Sequence, residues 1–100
     1  MSPYQVTADF EQALCNYTGA RFAVAVNSCT AALLLAVQWD FHDRWGRGPY
    51  PNVQIPKRTY VSVPMSIIHA GGRPSFRDEQ WCGAYQLKPL PVWDCARRFM

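Results

Sequence analysis

The segment at residues 22–34 constrains the fold most, because one apolar stretch passes through a short polar turn directly into another. It reads Phe-Ala-Val-Ala-Val, Asn-Ser-Cys-Thr and Ala-Ala-Leu-Leu. The first part predicts a fully buried strand at 22–26, and the continuing apolar sequence predicts a helix at 29–39. This helix is apolar on nearly every side, so it needs cover on more than one face, either from other parts of a larger protein or from a partner subunit.

The polar turn has two interpretations. Asn27, Ser28 and Thr30 surround the expected start of the helix. Free backbone N–H groups, hydroxyls and the positive end of the helix dipole meet there, which is a favourable place for a phosphate. An ordinary N-cap, in which Ser28 or Thr30 merely satisfies the helix start, explains the same residues without a ligand.

The rest of the chain alternates predicted helices and strands. Ahead of the turn we expect a helix at 8–17, with Thr7 as N-cap and Gly19 as its left-handed stop. Beyond the helix at 29–39 we expect a loop at 40–52, a strand at 53–56, a helix with Pro64 in its first turn that ends at Gly71-Gly72, a strand at 73–77, a proline-containing loop and a strand at 91–93. This order predicts a single α/β domain over residues 1–100 with a parallel sheet.

Composition indicates a folded chain and argues against two classes of partner. A length of 100 residues supports one modest core, and 49% apolar and 14% aromatic content is typical of globular sequence. The formal charge is only +3, with basic pairs at Lys57-Arg58 and Arg97-Arg98, so we expect no nucleic-acid partner. The longest apolar run, 31–37, is too short to cross a bilayer, so we expect no membrane partner.

The cysteines predict neither a metal site nor a disulfide framework. Cys15, Cys29, Cys82 and Cys95 form no Cys-x-x-Cys pair and have no histidine at metal-ligand spacing. Each lies in or beside an apolar segment, which is typical of small buried thiols in a reducing compartment. We therefore expect no bound metal and a cytoplasmic location.

Several segments resemble the DegT/DnrJ/StrS family of sugar aminotransferases, which use pyridoxal phosphate. The turn and helix at 23–37 are similar to the family's phosphate-binding motif, usually Asn-Ser-Gly-Thr followed by a small, apolar helix. Four further segments match in the same order: the opening helix and its tyrosine-small-glycine turn at 10–20, a strand and cofactor-stacking loop at 53–62, a helix and strand at 67–76, and the strand with its Asp-x-Ala motif at 91–96.

The resemblance implies both a fold and an activity. The fold is α/β and three-layered, with a mostly parallel sheet flanked by helices, as in the amino-terminal part of the large domain of fold type I pyridoxal-phosphate transferases. The activity is amino-group transfer in nucleotide-sugar biosynthesis, which involves a nucleotide-sugar and an amino donor. Family members form dimers with shared active sites, so we expect a homo-oligomer.

The resemblance also implies residues that bind the phosphate and the ring of pyridoxal 5'-phosphate. Ser28, Cys29 and Thr30 occupy the positions that bind the phosphate. Cys29 replaces the usual glycine, and its side chain occupies space that the backbone needs for close approach. Tyr60 matches the aromatic residue that stacks on the cofactor ring. Without the resemblance, a tyrosine that packs in the core explains this position equally well.

Asp94 matches the carboxylate that pairs with the cofactor's pyridine nitrogen. An acid that ends an apolar strand needs a cationic or protonated partner. That partner could instead be a side chain, since Arg97 and Arg98 follow closely. Arg97 replaces the glutamine or histidine that is usual three residues beyond the aspartate, and its permanent charge could compete with the pyridinium.

The family's catalytic lysine, which forms a Schiff base with the cofactor, has no match here. Lys57 and Lys88 are the only lysines, and neither lies at the corresponding position, so no catalytic residue is assigned. We therefore expect an aminotransferase by lineage, in a fragment or truncated form that is inactive alone. Two alternatives stay open: a non-catalytic module that binds pyridoxal phosphate or another phosphate, and an oligomeric scaffold protein of viral or mobile-element origin.

Overall fold

A computed structural model describes residues 2–97, and within them it has an α/β architecture with a small parallel sheet. The elements are α1 Pro3–Thr18, α2 Cys29–Asp40, a π-helical turn Phe41–Trp45, β1 Asn52–Pro56, α3 Ser62–His69, β2 Arg73–Arg77, β3 Tyr85–Gln86 and β4 Trp93–Asp94. None of the helices within residues 2–97 combines the length and apolarity needed to span a bilayer.

Helix α1 is longer than the predicted 8–17. It begins beside Ser2, whose hydroxyl accepts a hydrogen bond from the backbone N–H of Gln5 at 3.2 Å, so the predicted cap Thr7 lies inside the helix. A serine followed by proline is the stronger start signal, because proline suits the first turn. The predicted stop is confirmed: Gly19 has φ of 80° and its N–H donates to the carbonyl of Cys15 at 2.9 Å.

The strand predicted at 22–26 is wrong. No ladder forms there, and the side chains of Phe22 and Val24 are exposed. A strand requires a neighbouring strand for its hydrogen bonds, and none lies beside this segment within the described residues. A hydrogen bond at 2.7 Å connects this segment to α1: the N–H of Ala25 donates to the Glu11 carboxylate.

Helix α2 begins and ends close to the predicted bounds of 29–39, but the loop predicted at 40–52 is partly wrong. The chain continues as the π-helical turn, in which Arg44 donates two hydrogen bonds to the Asp40 carboxylate at 2.8 and 2.9 Å. Phe41 is buried and stacks on Tyr50, with ring centroids 4.4 Å apart. The ion pair and the buried ring hold this extra turn in place.

The predicted parallel pairing is confirmed for β1 and β2, which are joined through α3. Their register runs from Asn52 opposite Arg73 to Pro56 opposite Arg77, and α3 carries Pro64 in its first turn as predicted. The Arg77 guanidinium donates to the carbonyls of Gln54 and Gln86, which ties both strands to the next segment.

The carboxyl-terminal strands depart from the prediction. β3 lies in a segment that the sequence predicts to be a loop. The last strand, β4, is Trp93–Asp94 rather than 91–93, and β3 and β4 pair antiparallel. The chain reverses between Leu87 and Val92, where the Leu87 N–H donates to the Val92 carbonyl at 2.9 Å. Strands joined by so short a connection cannot be parallel. A bridge between Gln54 and Lys88 joins this hairpin to β1.

The core lies between α2, α3, β1 and the hairpin. Its buried apolar residues are Leu33, Val37, Phe41, Val53, Ile55, Val63, Ile67, Tyr85, Leu87, Leu90 and Val92. Gly72 allows two elements to approach closely, since a Cβ there would lie 2.8 Å from the Phe41 ring. The prediction of buried thiols is wrong: Cys29, Cys82 and Cys95 are exposed and Cys15 is only half-buried, because none of the four belongs to the core.

Candidate functional site

Asp94 is the centre of the candidate site. Strand β4 places it directly opposite Tyr85 of β3, and both side chains are buried, with Asp94 only 6% and Tyr85 only 3% exposed. The Tyr85 hydroxyl donates to Oδ2 of Asp94 at 2.6 Å. Burial, followed by this hydrogen bond and the charge of Asp94, raises the pKa of Tyr85, so the phenol keeps its proton and remains a donor.

The first residue of α2 reaches the same carboxylate. The Cys29 Sγ lies 3.7 Å from Oδ1 of Asp94, at the distance of a weak thiol hydrogen bond. Cys29 is exposed as a residue, but partial desolvation of its thiol, together with the negative charge of Asp94, raises the pKa of that thiol. The helix start predicted to hold a phosphate and the acid predicted to hold a pyridine nitrogen are therefore neighbours, although 65 residues separate them in sequence.

A cavity of about 390 Å³ opens beside Asp94. Tyr60, Asp94 and Arg97, three residues singled out from the sequence, line it together with Arg58, Thr59, Trp81, Tyr85 and Ala96. Tyr60 is 80% exposed, which excludes its interpretation as a core tyrosine. The volume lies within the range of about 300–1,000 Å³ that is typical of small-molecule pockets.

A second cavity, of about 690 Å³, adjoins the first through shared lining residues. Arg58, Trp81 and Arg97 line both, and Lys57 lines the second. Glu79 also lines the second cavity, but it accepts a hydrogen bond from Arg77 at 2.6 Å, which offsets its charge. Asp78 also lines the second cavity and Asp94 the first, so the cations Lys57, Arg58 and Arg97 share the two cavities with carboxylates and the lining is mixed in charge.

Ser28 and Thr30 flank Cys29 at the start of α2 and do not line either cavity. The Ser28 hydroxyl accepts a hydrogen bond from the backbone N–H of Ala31 at 3.1 Å, so it acts as the N-cap of α2. The capping interpretation therefore holds for Ser28. The amide groups of Cys29 and Thr30 belong to the first turn of α2, where backbone N–H groups lack partners within the helix.

Of the two ion pairs that the sequence suggests for Asp94, only the one with Arg97 falls within the described residues. Within residues 2–97, Arg97 makes no ion pair with Asp94, and its backbone N–H donates to the carbonyl of Gly83 at 2.9 Å. Arg98 lies outside the described residues. The same described range contains no group of three or more His, Cys, Asp or Glu side chains that could hold a metal ion.

Tyr85 is the site residue that sequence reasoning missed. It lies in a stretch that was interpreted as a loop, although Tyr85 and Leu87 are apolar at alternate positions. That alternation, followed by a proline-containing turn and an apolar run that ends in an acid, is a signal for an antiparallel hairpin. A hairpin would have placed Tyr85 close to Asp94.

Comparison with known proteins gives a family for most of the chain. The model of the DegT/DnrJ/EryC1/StrS aminotransferase family matches residues 1–89, a range that ends before Asp94 and Arg97. Spore coat polysaccharide biosynthesis protein SpsC of Bacillus subtilis (strain 168) is 44% identical over 69 residues, which make up 69% of this chain and 16% of that protein.

GDP-perosamine synthase of Caulobacter vibrioides (strain ATCC 19089 / CIP 103742 / CB 15) is 34% identical over 70 residues, which make up 70% of this chain and 18% of that protein. The matched stretch thus spans less than a fifth of either curated relative. No solved structure matches. Since the family model covers well over half of its residues, the chain belongs to the DegT/DnrJ/EryC1/StrS aminotransferase family.

Proposed function

We propose that this chain carries the cofactor-binding part of a pyridoxal-phosphate-dependent sugar aminotransferase. One observation carries the proposal: the start of α2 contacts Asp94 through Cys29, beside a cavity lined by Tyr60 and Arg97. Pyridoxal phosphate needs its phosphate held, its ring covered and its pyridine nitrogen kept protonated. Groups suited to the ring and its nitrogen line this cavity, and the start of α2, suited to the phosphate, contacts Asp94 from outside the cavity lining.

The surroundings of Asp94 fit a protonated pyridine nitrogen. Its described hydrogen-bond partners, Tyr85 and Cys29, are both neutral donors. A buried carboxylate without a cationic hydrogen-bond partner carries a desolvation cost that a bound cation offsets. The Cys29 contact is weak, so Oδ1 keeps the capacity to accept a stronger hydrogen bond from the ring nitrogen.

The start of α2 fits the phosphate. The backbone N–H groups of Cys29 and Thr30 and the hydroxyl of Thr30 supply donors, while Ser28 holds the helix start in place. Tyr60 supplies an aromatic face at the rim of the cavity, and Arg97 adds positive charge. When bound, the cofactor supplies the electron sink for amino-group transfer, and these residues bind and orient it.

The substrates follow from the relatives by analogy. The names of the relatives refer to spore coat polysaccharide biosynthesis and to GDP-perosamine. We accordingly propose a nucleotide-sugar and an amino donor as substrates, a homo-oligomer as the working form, and a cytoplasmic location. The sheet of residues 1–100 would form part of a three-layer, mostly parallel domain.

The residues present supply binding groups but no assigned catalytic lysine. Lys57 lines the adjoining cavity rather than the one beside Asp94, and Lys88 pairs through its backbone with Gln54 on the hairpin side of β1. We therefore propose that residues 1–100 alone retain cofactor without transferring amino groups. Measurable transamination by the purified chain with added cofactor would contradict this part of the proposal.

Retention of cofactor after dialysis tests the binding proposal. The purified chain is incubated with pyridoxal phosphate, dialysed exhaustively, reduced with borohydride and measured by absorbance and intact mass. We expect retention without a covalent adduct, and loss of retention in Thr30→Ala and Asp94→Asn. The matched controls Thr18→Ala and Asp43→Asn lie in α1 and the π-helical turn and should retain the cofactor. Equal retention in all five proteins would overturn the assignment of Thr30 and Asp94.

An oligomeric scaffold is the second candidate, and the surface of α2 favours it. Leu33 and Val37 are buried, whereas Leu35 and Trp39 of the same helix are exposed. Apolar side chains of this size are commonly covered by a partner subunit. A stable oligomer in sedimentation, unchanged by pyridoxal phosphate and lost in Trp39→Glu, combined with no retained cofactor, would favour the scaffold over the binding module.

A further inference from the structure

We infer that Tyr85 is a positioning residue, which holds the carboxylate of Asp94 in the orientation that the ring nitrogen of the cofactor requires. The inference rests on the proposed function, because it assigns Tyr85 a role only if the cavity beside Asp94 takes a pyridine ring. It goes further by naming the residue that acts on the cofactor through Asp94.

The hairpin geometry brings the two side chains together. Tyr85 and Asp94 are directly opposite in the antiparallel pairing of β3 and β4, and opposite residues lie on the same face of a sheet. The hydroxyl donates to Oδ2 at 2.6 Å, a short distance typical of a hydrogen bond to a charged acceptor. Because both residues are buried, water does not compete strongly for this hydrogen bond.

The ring of Tyr85 is itself held in position. Trp81 packs against it edge to face, with ring centroids 4.7 Å apart and an interplanar angle of 62°. The indole N–H of Trp81 in turn donates to the carbonyl of Arg58 at 2.8 Å. Arg58 lies two residues before Tyr60, so this chain of contacts links the carboxylate to the loop that carries the proposed stacking ring.

The two oxygens of Asp94 then have different roles. Oδ2 is occupied by the strong phenol donor, whereas the one donor to Oδ1 among residues 2–97 is the weak thiol of Cys29 at 3.7 Å. With Oδ2 fixed, the carboxylate cannot rotate freely, and Oδ1 is left as the acceptor for a ligand. Without Tyr85, the same carboxylate would have to be ordered by the ligand, at a cost in affinity.

A double-mutant cycle tests the inference with pyridoxamine 5'-phosphate as the probe. This compound keeps the ring, its nitrogen and the phosphate, but it has no aldehyde that could react with Lys57 or Lys88. Dissociation constants are measured by equilibrium dialysis for the native chain, Tyr85→Phe, Asp94→Asn and the double variant. We expect Tyr85→Phe to weaken binding about tenfold, as for a lost hydrogen bond to a charged group, and to have little effect once Asp94 is replaced.

Inorganic phosphate supplies the second measurement, because it lacks the ring. Tyr85→Phe should leave phosphate binding unchanged if Tyr85 acts through Asp94. Tyr50→Phe is the matched control, since its hydroxyl donates to the carbonyl of Gly46, remote from the cavity, and it should bind both probes like the native chain. Circular dichroism on heating checks that each variant is folded.

Every outcome of this experiment supports or overturns the inference. Selective weakening of pyridoxamine phosphate binding that disappears once Asp94 is replaced supports a positioning role, whereas the same weakening in the Asp94→Asn background would overturn it. Equal loss of both probes would mean that Tyr85 is only structural, and unchanged binding would mean that it has no role; either result overturns the inference and leaves the proposed function standing. No binding by the native chain would instead defeat the proposed function, and the inference with it.

Discussion

Residues 2–26 and residues 28–97 are both rich in apolar side chains, yet only the second region buries them in the core. Every residue of the described core comes from Leu33 or later in the chain. In the first region the large exposed side chains are Tyr4, Val6, Phe10, Tyr17, Phe22, Val24 and Val26. Hydrophobicity alone therefore does not bury a segment; a second surface of matching shape has to be present.

The two regions also differ in what stabilises them. Helix α1 depends on local features: the Ser2 cap, the Gly19 stop and its own backbone hydrogen bonds. The second region combines parallel strands, a crossover helix and a hairpin, so its contacts join residues that are far apart in sequence. All the described residues of the candidate site belong to this second region, and the predictions below test how far the two regions are independent.

The largest contrast should come from removing one large apolar side chain in each region. Ile55 is fully buried in β1, so Ile55→Ala leaves a cavity and should lower the free energy of unfolding by about 2–5 kcal/mol. Phe22 is 85% exposed, and Phe22→Ala should change the free energy of unfolding by no more than about 0.5 kcal/mol. Urea denaturation followed by tryptophan fluorescence measures both. A comparable loss in both variants would mean that 22–26 is packed in solution.

A glycine in each region gives the next largest contrast. A Cβ at Gly72 would meet the Phe41 ring at 2.8 Å, so Gly72→Ala should cost about 1–3 kcal/mol of global stability. At Gly19 there is open space, and only the φ of 80° resists a side chain, so Gly19→Ala should fray the end of α1 without shifting global unfolding. Thermal melts measure the loss of global stability in Gly72→Ala, and amide hydrogen exchange measures the fraying of α1 in Gly19→Ala. If the clash is the cause, Phe41→Leu should reduce the cost of Gly72→Ala.

The two serine caps form a closer match, since both hydroxyls accept a backbone N–H three residues later in the sequence. Ser28→Ala should lower the free energy of unfolding by about 1 kcal/mol, because α2 packs into the core through Leu33 and Val37. Ser2→Ala should weaken α1 locally and leave the unfolding midpoint unchanged. Equal shifts in the midpoint would contradict the independence of α1.

The sequence was sufficient where a local signal agreed with the final packing. The bounds of α2 and β2, the position of Pro64 and the stop at Gly19 all follow from propensity, capping and apolar patterning. The strand predicted at 22–26 failed because pairing is not a local property, and no described strand accepts its hydrogen bonds. The hairpin was missed because β3 is only two residues long and lies among turn-forming residues.

The structure brings together only part of the site that the resemblance predicts. Of the six residues singled out, Tyr60, Asp94 and Arg97 line one cavity and Cys29 contacts Asp94, whereas Ser28 and Thr30 line neither cavity. Tyr85 could not be found in the same way, since its role depends on which strand lies opposite β4. Contacts between distant parts of the chain, such as Cys29 with Asp94, become visible only in three dimensions.

The smallest effect concerns the reactivity of one cysteine in each region. Burial and the charge of Asp94 raise the pKa of the Cys29 thiol, and the thiolate is the form that reacts with iodoacetamide. At a pH below that pKa, Asp94→Asn removes the nearby negative charge, lowers the pKa and increases the thiolate fraction. The alkylation rate of Cys29, followed by mass spectrometry, should therefore rise severalfold in Asp94→Asn, whereas Cys15 in α1 and the control Asp43→Asn should show no change. An unchanged rate at Cys29 would show that the contact between α2 and β4 does not persist in solution, and the strongest structural support for a shared site would then be lost.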